Sequence, residues 1–276
     1  MKIITDTSAL YSPQEGKELG IEVIPACTLI DREVYRDYED ISAGEILKLI
    51  KQGKIPTSSQ PAIGDVLDIF EEGQEDVLYL VIGDGLSGTY QSAMGARNCV
   101  EQKERIHIID TKTLAGAQRY LVEKAVNLKK EGKSIKEIVN NISNSVEKSA
   151  SFVIPVNFDF LKRSGRLTPV AAAITSMIKL VPVLTQTEDM KRIKPFAVKR
   201  SLRKAVDAVI EHFKGMGVNQ EYIISICHAG VHDIAEDTMR QIRNHFAETT
   251  IEIFQLSPAL IAHGGPGSIT IQTICR

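Results

Sequence analysis

The sequence predicts an α/β fold built as two α/β domains, and three observations carry that prediction. Short apolar runs rich in Val, Ile and Leu alternate with segments whose apolar residues recur at helical spacing. Several of the helical segments open on recognisable capping patterns. The Gly- and Ser-rich polar segments fall at junctions between the two kinds of run. The expectation is an N-terminal domain, 1–155, with a mainly parallel sheet flanked by helices, and a C-terminal domain, 156–276, with a mixed sheet and helices.

In the N-terminal part, residues 2–5, 23–29, 77–82, 106–110 and 150–156 are assigned as strands. Ser42 and Glu45 form a capping box for a helix over 41–51, the serine serving an orphan N–H and the glutamate reaching back to the cap. Ser134 and Glu137 do the same for a helix ending near Ser145. Ile63, Val66, Leu67 and Phe70 fall at i, i+3, i+4 and i+7, so they are expected to line one buried helix face. Pro61 is placed just inside that helix, where a missing N–H costs nothing. In the C-terminal part, strands at 181–185 and 193–198 flank an exposed turn at 187–192. A helix at 201–213, a strand at 222–229, a helix at 232–246 and strands at 251–256 and 268–274 follow. Pro155 and the apolar–basic stretch after it break the rhythm, which puts the domain change near 150–160. The chain shows no internal repeat, low-complexity segment or long linker.

Composition narrows the function classes. The 276 residues are 43% hydrophobic and 25% charged, ordinary for a globular chain with a sizeable core. With 33 basic against 35 acidic residues the net charge is −2, so nothing pulls strongly on nucleic acid or an anionic membrane. Aromatics make up 5% and Trp is absent, which leaves few platforms for base stacking. Cys27, Cys99, Cys227 and Cys275 show no C-x-x-C pair and are expected as reduced thiols rather than disulfides or zinc ligands. The start meets a carboxylate at Asp6 and lacks a signal-peptide stretch. The longest uncharged, mainly apolar run, 167–178, falls short of the ~20 residues a spanning helix needs. These features predict a cytoplasmic protein.

Three polar segments are expected where strands end and helices begin, so that outward N–H groups favour an anion. They are Pro56-Thr57-Ser58-Ser59-Gln60-Pro61, Gly83-Asp84-Gly85-Leu86-Ser87-Gly88-Thr89 and His263-Gly264-Gly265-Pro266-Gly267. Taken singly, hydroxyls at helix starts commonly cap and glycines after strands commonly turn; together they point to a ligand. Gly83, Gly85 and Gly88 also spell G-x-G-x-x-G, with Asp110 at the end of the next strand run. That is the context of a dinucleotide site, and an oxidoreductase is the alternative reading. A Ser87/His263/Asp hydrolase triad is weaker, because Thr89 replaces the last glycine of the nucleophile elbow. His228 and His232 stand i, i+4, but Gly230 between them at a strand-to-helix turn is expected to deprive that spacing of geometric meaning, so no metal is expected. His107, His212 and His245 are assigned to core or surface duty. Basic clusters occur at Lys162-Arg163-Ser164-Gly165-Arg166 and Lys199-Arg200-Ser201-Leu202-Arg203-Lys204. Arginines beside glycine in a loop suit bidentate contact with a phosphoryl group.

The combination of motifs resembles the DegV family, including the fatty-acid-binding subunits of bacterial fatty acid kinase. The resemblance runs essentially end to end. It rests on Ile3-Ile4-Thr5-Asp6-Thr7, Val23-Ile24-Pro25, the stretch 37–41, Ser58-Ser59-Gln60-Pro61 and Leu86-Ser87-Gly88-Thr89-Tyr90-Gln91-Ser92-Ala93. Ile109-Asp110-Thr111, Leu161-Lys162-Arg163-Ser164-Gly165-Arg166 and the C-terminal His-Gly-Gly-Pro-Gly complete it. It implies a long-chain fatty acid such as palmitate in a tunnel between the two domains, in a lipid-binding protein that is not itself an enzyme and needs no cofactor. The implied carboxylate contacts are a hydroxyl of Ser58 or Ser59, Ser87 with the adjoining Gly88, and His263. Arg166 and Arg200 match arginines at the mouth of the site that meet a separate kinase partner, and transient membrane contact is implied as well. Two departures stand out: Ser58 occupies a position where threonine is usual, and Asp84-Gly85 replaces a frequent serine pair. Ala171, Ala172, Ala173, Ile174, Met177 and Ile178 are the candidate tunnel wall, although an ordinary core helix would look the same.

Overall fold

A computed structural model describes residues 1–173 and 180–276. The strands are β1 (Lys2–Asp6), β2 (Glu22–Ile24), β3 (Cys27–Ile30), β4 (Glu33–Arg36), β5 (Thr57–Ser59), β6 (Val77–Val81), β7 (Ile106–Asp110), β8 (Ala150–Ile154), β9 (Val181–Gln186), β10 (Ile193–Lys199), β11 (Tyr222–His228), β12 (Thr250–Gln255) and β13 (Ile269–Cys275). Among the described residues they form three sheets. A parallel sheet of four runs β2-β1-β6-β7. A mixed sheet of six runs β10-β9-β8-β13-β11-β12, parallel only between β11 and β12. A small antiparallel sheet, β4-β3-β5, is the third.

Alternation along the strands decides which layer each side chain joins. In β1 and β6, Ile4, Val77, Tyr79 and Val81 pack with Val66, Phe70, Ala93 and Ala96 from the helices Ile63–Glu71 and Thr89–Cys99. Their neighbours Ile3, Leu78 and Leu80 point the other way, onto Ala117, Leu121, Val122 and Ala125 of the helix Ala115–Lys130. That same helix meets Ile223 and Ile274 of the six-stranded sheet. The alternate residues Ile224, Ile226 and Ile271 turn outward to Val206, Val209 and Phe213 of the helix Leu202–Gly215. The order is therefore helix, sheet, helix, sheet, helix, with one 16-residue helix shared by both sheets. β8 pairs with β9 and β13 although it precedes residue 155. We therefore place the division between the sheets between Glu147 and Ala150.

The strand and helix assignments hold with boundary shifts of a few residues, and the two capping boxes form as the sequence predicts. Four local differences matter. The single strand expected at 23–29 is two, because Pro25 donates no N–H and the next amide, Ala26, leaves the ladder to donate to Thr7 Oγ1 at 3.0 Å. β2 then belongs to the parallel sheet and β3 to the small one. Thr57–Ser59 forms a strand instead of a loop at a helix start. The following helix begins at Ile63 with Ala62 as its cap, so Pro61 lies outside it, and Ile63 is 51% exposed while Val66 and Phe70 are buried. His263 and Gly264 end a helix, Pro258–Gly264, where the sequence reading expected a helix start. Of the candidate tunnel wall, residues 174–179 lie outside the described residues, and Ala171 is buried against Leu161, Leu167 and Leu184.

Candidate functional site

At the carboxyl ends of β1 and β6, where open α/β sheets present ligand sites, a cavity of about 370 Å³ lies between the three sheets. That volume falls within the range typical of small-molecule sites, ~300–1,000 Å³. Its walls are apolar, with Ile82, Leu86 and Leu114 from the N-terminal half facing Phe152, Leu184 and Leu260 from the C-terminal half. Its polar lining includes Ser58, Ser59, Ser87, Gly88, Arg166 and His263, along with Asp6, Ser151, Thr185 and Thr270. Six of the seven sequence-predicted residues thus border one space. The seventh, Arg200, is an exposed residue just beyond β10 and does not line it.

The central contact joins residues 205 apart in the chain: Ser58 Oγ lies 2.6 Å from His263 Nε2. Ser58 reaches the ring from the middle of β5, and the short helix Pro258–Gly264 carries the ring. Adjacent strand residues point to opposite faces, which separates the two serines. Ser59 Oγ donates to the Gln60 carbonyl at 3.1 Å, so Ser58 is the serine whose hydroxyl is turned to the imidazole. Burial and the neighbouring Arg166 guanidinium hold the His263 ring down at about 4, so it is neutral at pH 7.

Ser87 sits at the start of the helix Thr89–Cys99, whose cap residue Gly88 offers no side chain. Its Oγ accepts the Thr89 N–H at 3.3 Å and lies 2.8 Å from Thr89 Oγ1. Gln60 packs over Gly88, where a Cβ would stand 2.3 Å from Gln60 Oε1. Arg166 crosses from the C-terminal half to this loop, its Nε donating to the Leu86 carbonyl at 3.0 Å and its Nη1 to the Ser164 carbonyl. Burial lowers its pKa from the usual arginine value. Gln60, Thr89 and Asp6 also border the cavity; the sequence reading quoted them within its motifs but gave none a site role. Asp6 had a usable signal, a carboxylate at the end of an apolar strand; burial pushes its pKa up, and Oδ1 accepts the Ser8 N–H at 2.9 Å.

The glycine fingerprint is filled by the protein itself. Gly83 packs on the backbone of Lys112 and Thr113, and Gly85, at φ +88°, would place a Cβ 2.7 Å from Lys191. Asp110 Oδ1 accepts the amides of Asp84 and Lys112 at 3.0 and 2.9 Å. The close approaches that a pyrophosphate needs are thus taken by protein atoms. Nor do Ser87 and His263 pair with each other, because the ring partners Ser58. The two histidines at 228 and 232 do meet, with Nε2 of the first 3.4 Å from Nδ1 of the second. His228 ends β11 and His232 opens the helix His232–Arg243, so the two do not share one helix face, as the turn at Gly230 led the sequence reading to expect. Among the described residues no group of three or more His, Cys, Asp or Glu is placed to hold a metal. The four cysteines are free, and no helix among the described residues is long and apolar enough to cross a membrane.

A protein-family model described as the DegV family matches residues 1–276. A DegV domain-containing protein of Halalkalibacterium halodurans is 31% identical over 273 residues, covering 97% of this chain and 95% of that protein. Among solved structures, the fatty acid binding DegV family protein of Streptococcus agalactiae superposes with a TM-score of 0.87 at 27% identity, covering 100% of this chain and 98% of that one. A DegV family protein of Thermus thermophilus, described by its fatty acid binding, gives 0.90 at 23% identity, covering 100% and 99%.

Proposed function

This chain belongs to the DegV family across residues 1–276, and from that premise we propose that it binds a long-chain fatty acid and presents the carboxylate to a separate ATP-dependent kinase. The observation that carries the reading is the Ser58–His263 contact on the wall of a cavity whose lining is mainly apolar. Burying a tail of ~16 carbons at ~0.8 kcal/mol per methylene is worth roughly 12 kcal/mol. Rigid-body and chain ordering consume ~4–15 kcal/mol of that, so a pre-formed cavity matters. The carboxylate end cannot be left unpaired in such a space. The hydroxyls of Ser58 and Ser87 and the Gly88 amide supply its donors, and the His263 ring acts through Ser58. A neutral imidazole donating from Nε2 to Ser58 Oγ frees the serine proton for the anion. Arg166 adds a positive charge beside the head group.

The kinase role is drawn from the resemblance and from chemistry. The sequence contains no G-x-x-x-x-G-K-[ST] run, so the nucleotide for an acyl-phosphate product is supplied by the partner. Arg166 at the cavity and Arg200 on the exposed surface are the groups assigned to the transferring phosphoryl and the partner.

Native mass spectrometry of the purified protein is expected to reveal a co-purifying long-chain acid. Ser58→Ala and His263→Ala are each expected to weaken palmitate binding about tenfold, the loss of one hydrogen bond to a charged group. A protein that carries no lipid and binds palmitate no better than these variants do would remove the reading. Arg200→Ala is expected to spare lipid binding to within about threefold while sharply reducing kinase-coupled turnover; unchanged turnover would remove the partner role.

A further inference from the structure

Ser58 and His263 come from elements far apart in sequence, and a single buried side chain touches the supports of both. Asp37 follows β4 and is fully buried. Its Oδ1 accepts the hydroxyl of Thr28 at 2.9 Å. Thr28 lies directly opposite Ser58 in the pairing of β3 with β5. Its Oδ2 accepts the Ala259 N–H at 2.9 Å, near the start of the helix Pro258–Gly264. Ser257, the cap residue of that helix, makes no side-chain cap bond, and its buried Oγ has no partner among the described residues. A carboxylate from 222 residues earlier thus serves an orphan donor that the local sequence leaves unserved. Ala259 and His263 are i and i+4, one above the other on one helix face, so the clamp lies one turn beneath the imidazole. Thr7 Oγ1 adds a third, longer contact to Oδ2 at 3.4 Å while accepting the Ala26 N–H.

We propose that Asp37 is the positioning residue of the head-group site, fixing the strand that carries Ser58 against the helix that carries His263. It touches neither hydroxyl nor ring directly. Its action is on their separation: each oxygen holds one support, and the 2.6 Å contact closes between them. A Ser58–His263 pair loosened by an ångström would still border the cavity but would no longer aim the Ser58 proton at the carboxylate alongside the other donors. Burial of Asp37 raises its pKa to about 7, because desolvation disfavours the charged form more than the hydrogen bonds from Ala259, Thr28 and Thr7 favour it.

The inference rests on the reading that Ser58 and His263 hold a carboxylate, and the test separates the two. Palmitic acid and its methyl ester are compared on the full chain, by competition against a fluorescent polyene fatty acid. Tail burial is common to both ligands, whereas only the acid needs the converging donors. The wild type is expected to prefer the acid by about tenfold or more. Asp37→Ala is expected to abolish most of that preference while leaving the ester's affinity within about twofold. A parallel loss for acid and ester would make Asp37 a general support and overturn the proposal, as would an unchanged preference. Should Asp37→Ala fail to fold, Thr28→Val cuts only the link to β3 and keeps the clamp on Ala259. It is expected to reduce the preference about threefold, and a parallel loss or no change again overturns the proposal. A wild type with no acid preference would instead sink the carboxylate reading itself.

Discussion

A neutral imidazole packed beside a guanidinium resists protonation, and that fixes the pH behaviour of His263. Its ordinary value is 6.5, and burial brings it to about 4 in the folded protein. Between those values the unfolded chain holds a proton that the native ring refuses, so this residue's contribution to stability is present above pH 6.5 and is lost as pH falls toward 4. Thermal unfolding of the lipid-free protein from pH 7 to pH 4 is expected to fall more steeply for wild type than for His263→Gln; equal slopes would contradict a buried neutral ring. A bound carboxylate favours the charged imidazole. The His263 Hε1 resonance is therefore expected to titrate at a higher pH with palmitate bound than without. At this scale the sequence announced Ser58, Ser87 and His263 through their motifs, because hydroxyls beside Pro and imidazole beside Gly-Gly are local patterns. It could not announce the role of Asp37, whose partners Thr28 and Ala259 lie in other elements and leave no local signature.

Among the elements, helices with capping boxes were the most legible, since Ser42 with Glu45 and Ser134 with Glu137 satisfy each other within one turn. The small sheet was the least legible. β5 is three residues of Thr and Ser, which read as a polar loop, and only pairing with β3 makes it a strand. The loop after β6 is set by Gly85, whose positive φ and contact with Lys191 leave no place for a side chain. Gly85→Ala is expected to cost roughly 1–3 kcal/mol from backbone strain and collision. A lowered urea midpoint would register that cost, together with weaker palmitate binding through displacement of Ser87. An unaltered midpoint would mean that the hairpin at Lys191 yields without penalty.

For the whole molecule, the helix Ala115–Lys130 is the joint between the two sheets. Gly116 lets it approach β11 so closely that a Cβ would stand 2.3 Å from Ser225 Oγ. Gly116→Ala is expected to destabilise the protein by about 1–3 kcal/mol through overpacking. Ser225→Gly in the same chain should recover most of that loss, and a double-mutant cycle measures the coupling. Additive costs would show that the sheets move apart freely at this contact. The sequence by itself determined the α/β class, most of the elements and several residues that line the cavity, because periodicity, caps and short motifs are properties of neighbouring residues. Tertiary structure alone decided that Pro25 divides one apolar run between two sheets, that the G-x-G-x-x-G glycines are packed by protein, and that one aspartate holds two distant supports. Each of these depends on which distant atoms fill a given space, and close packing settles that only once the whole chain has folded.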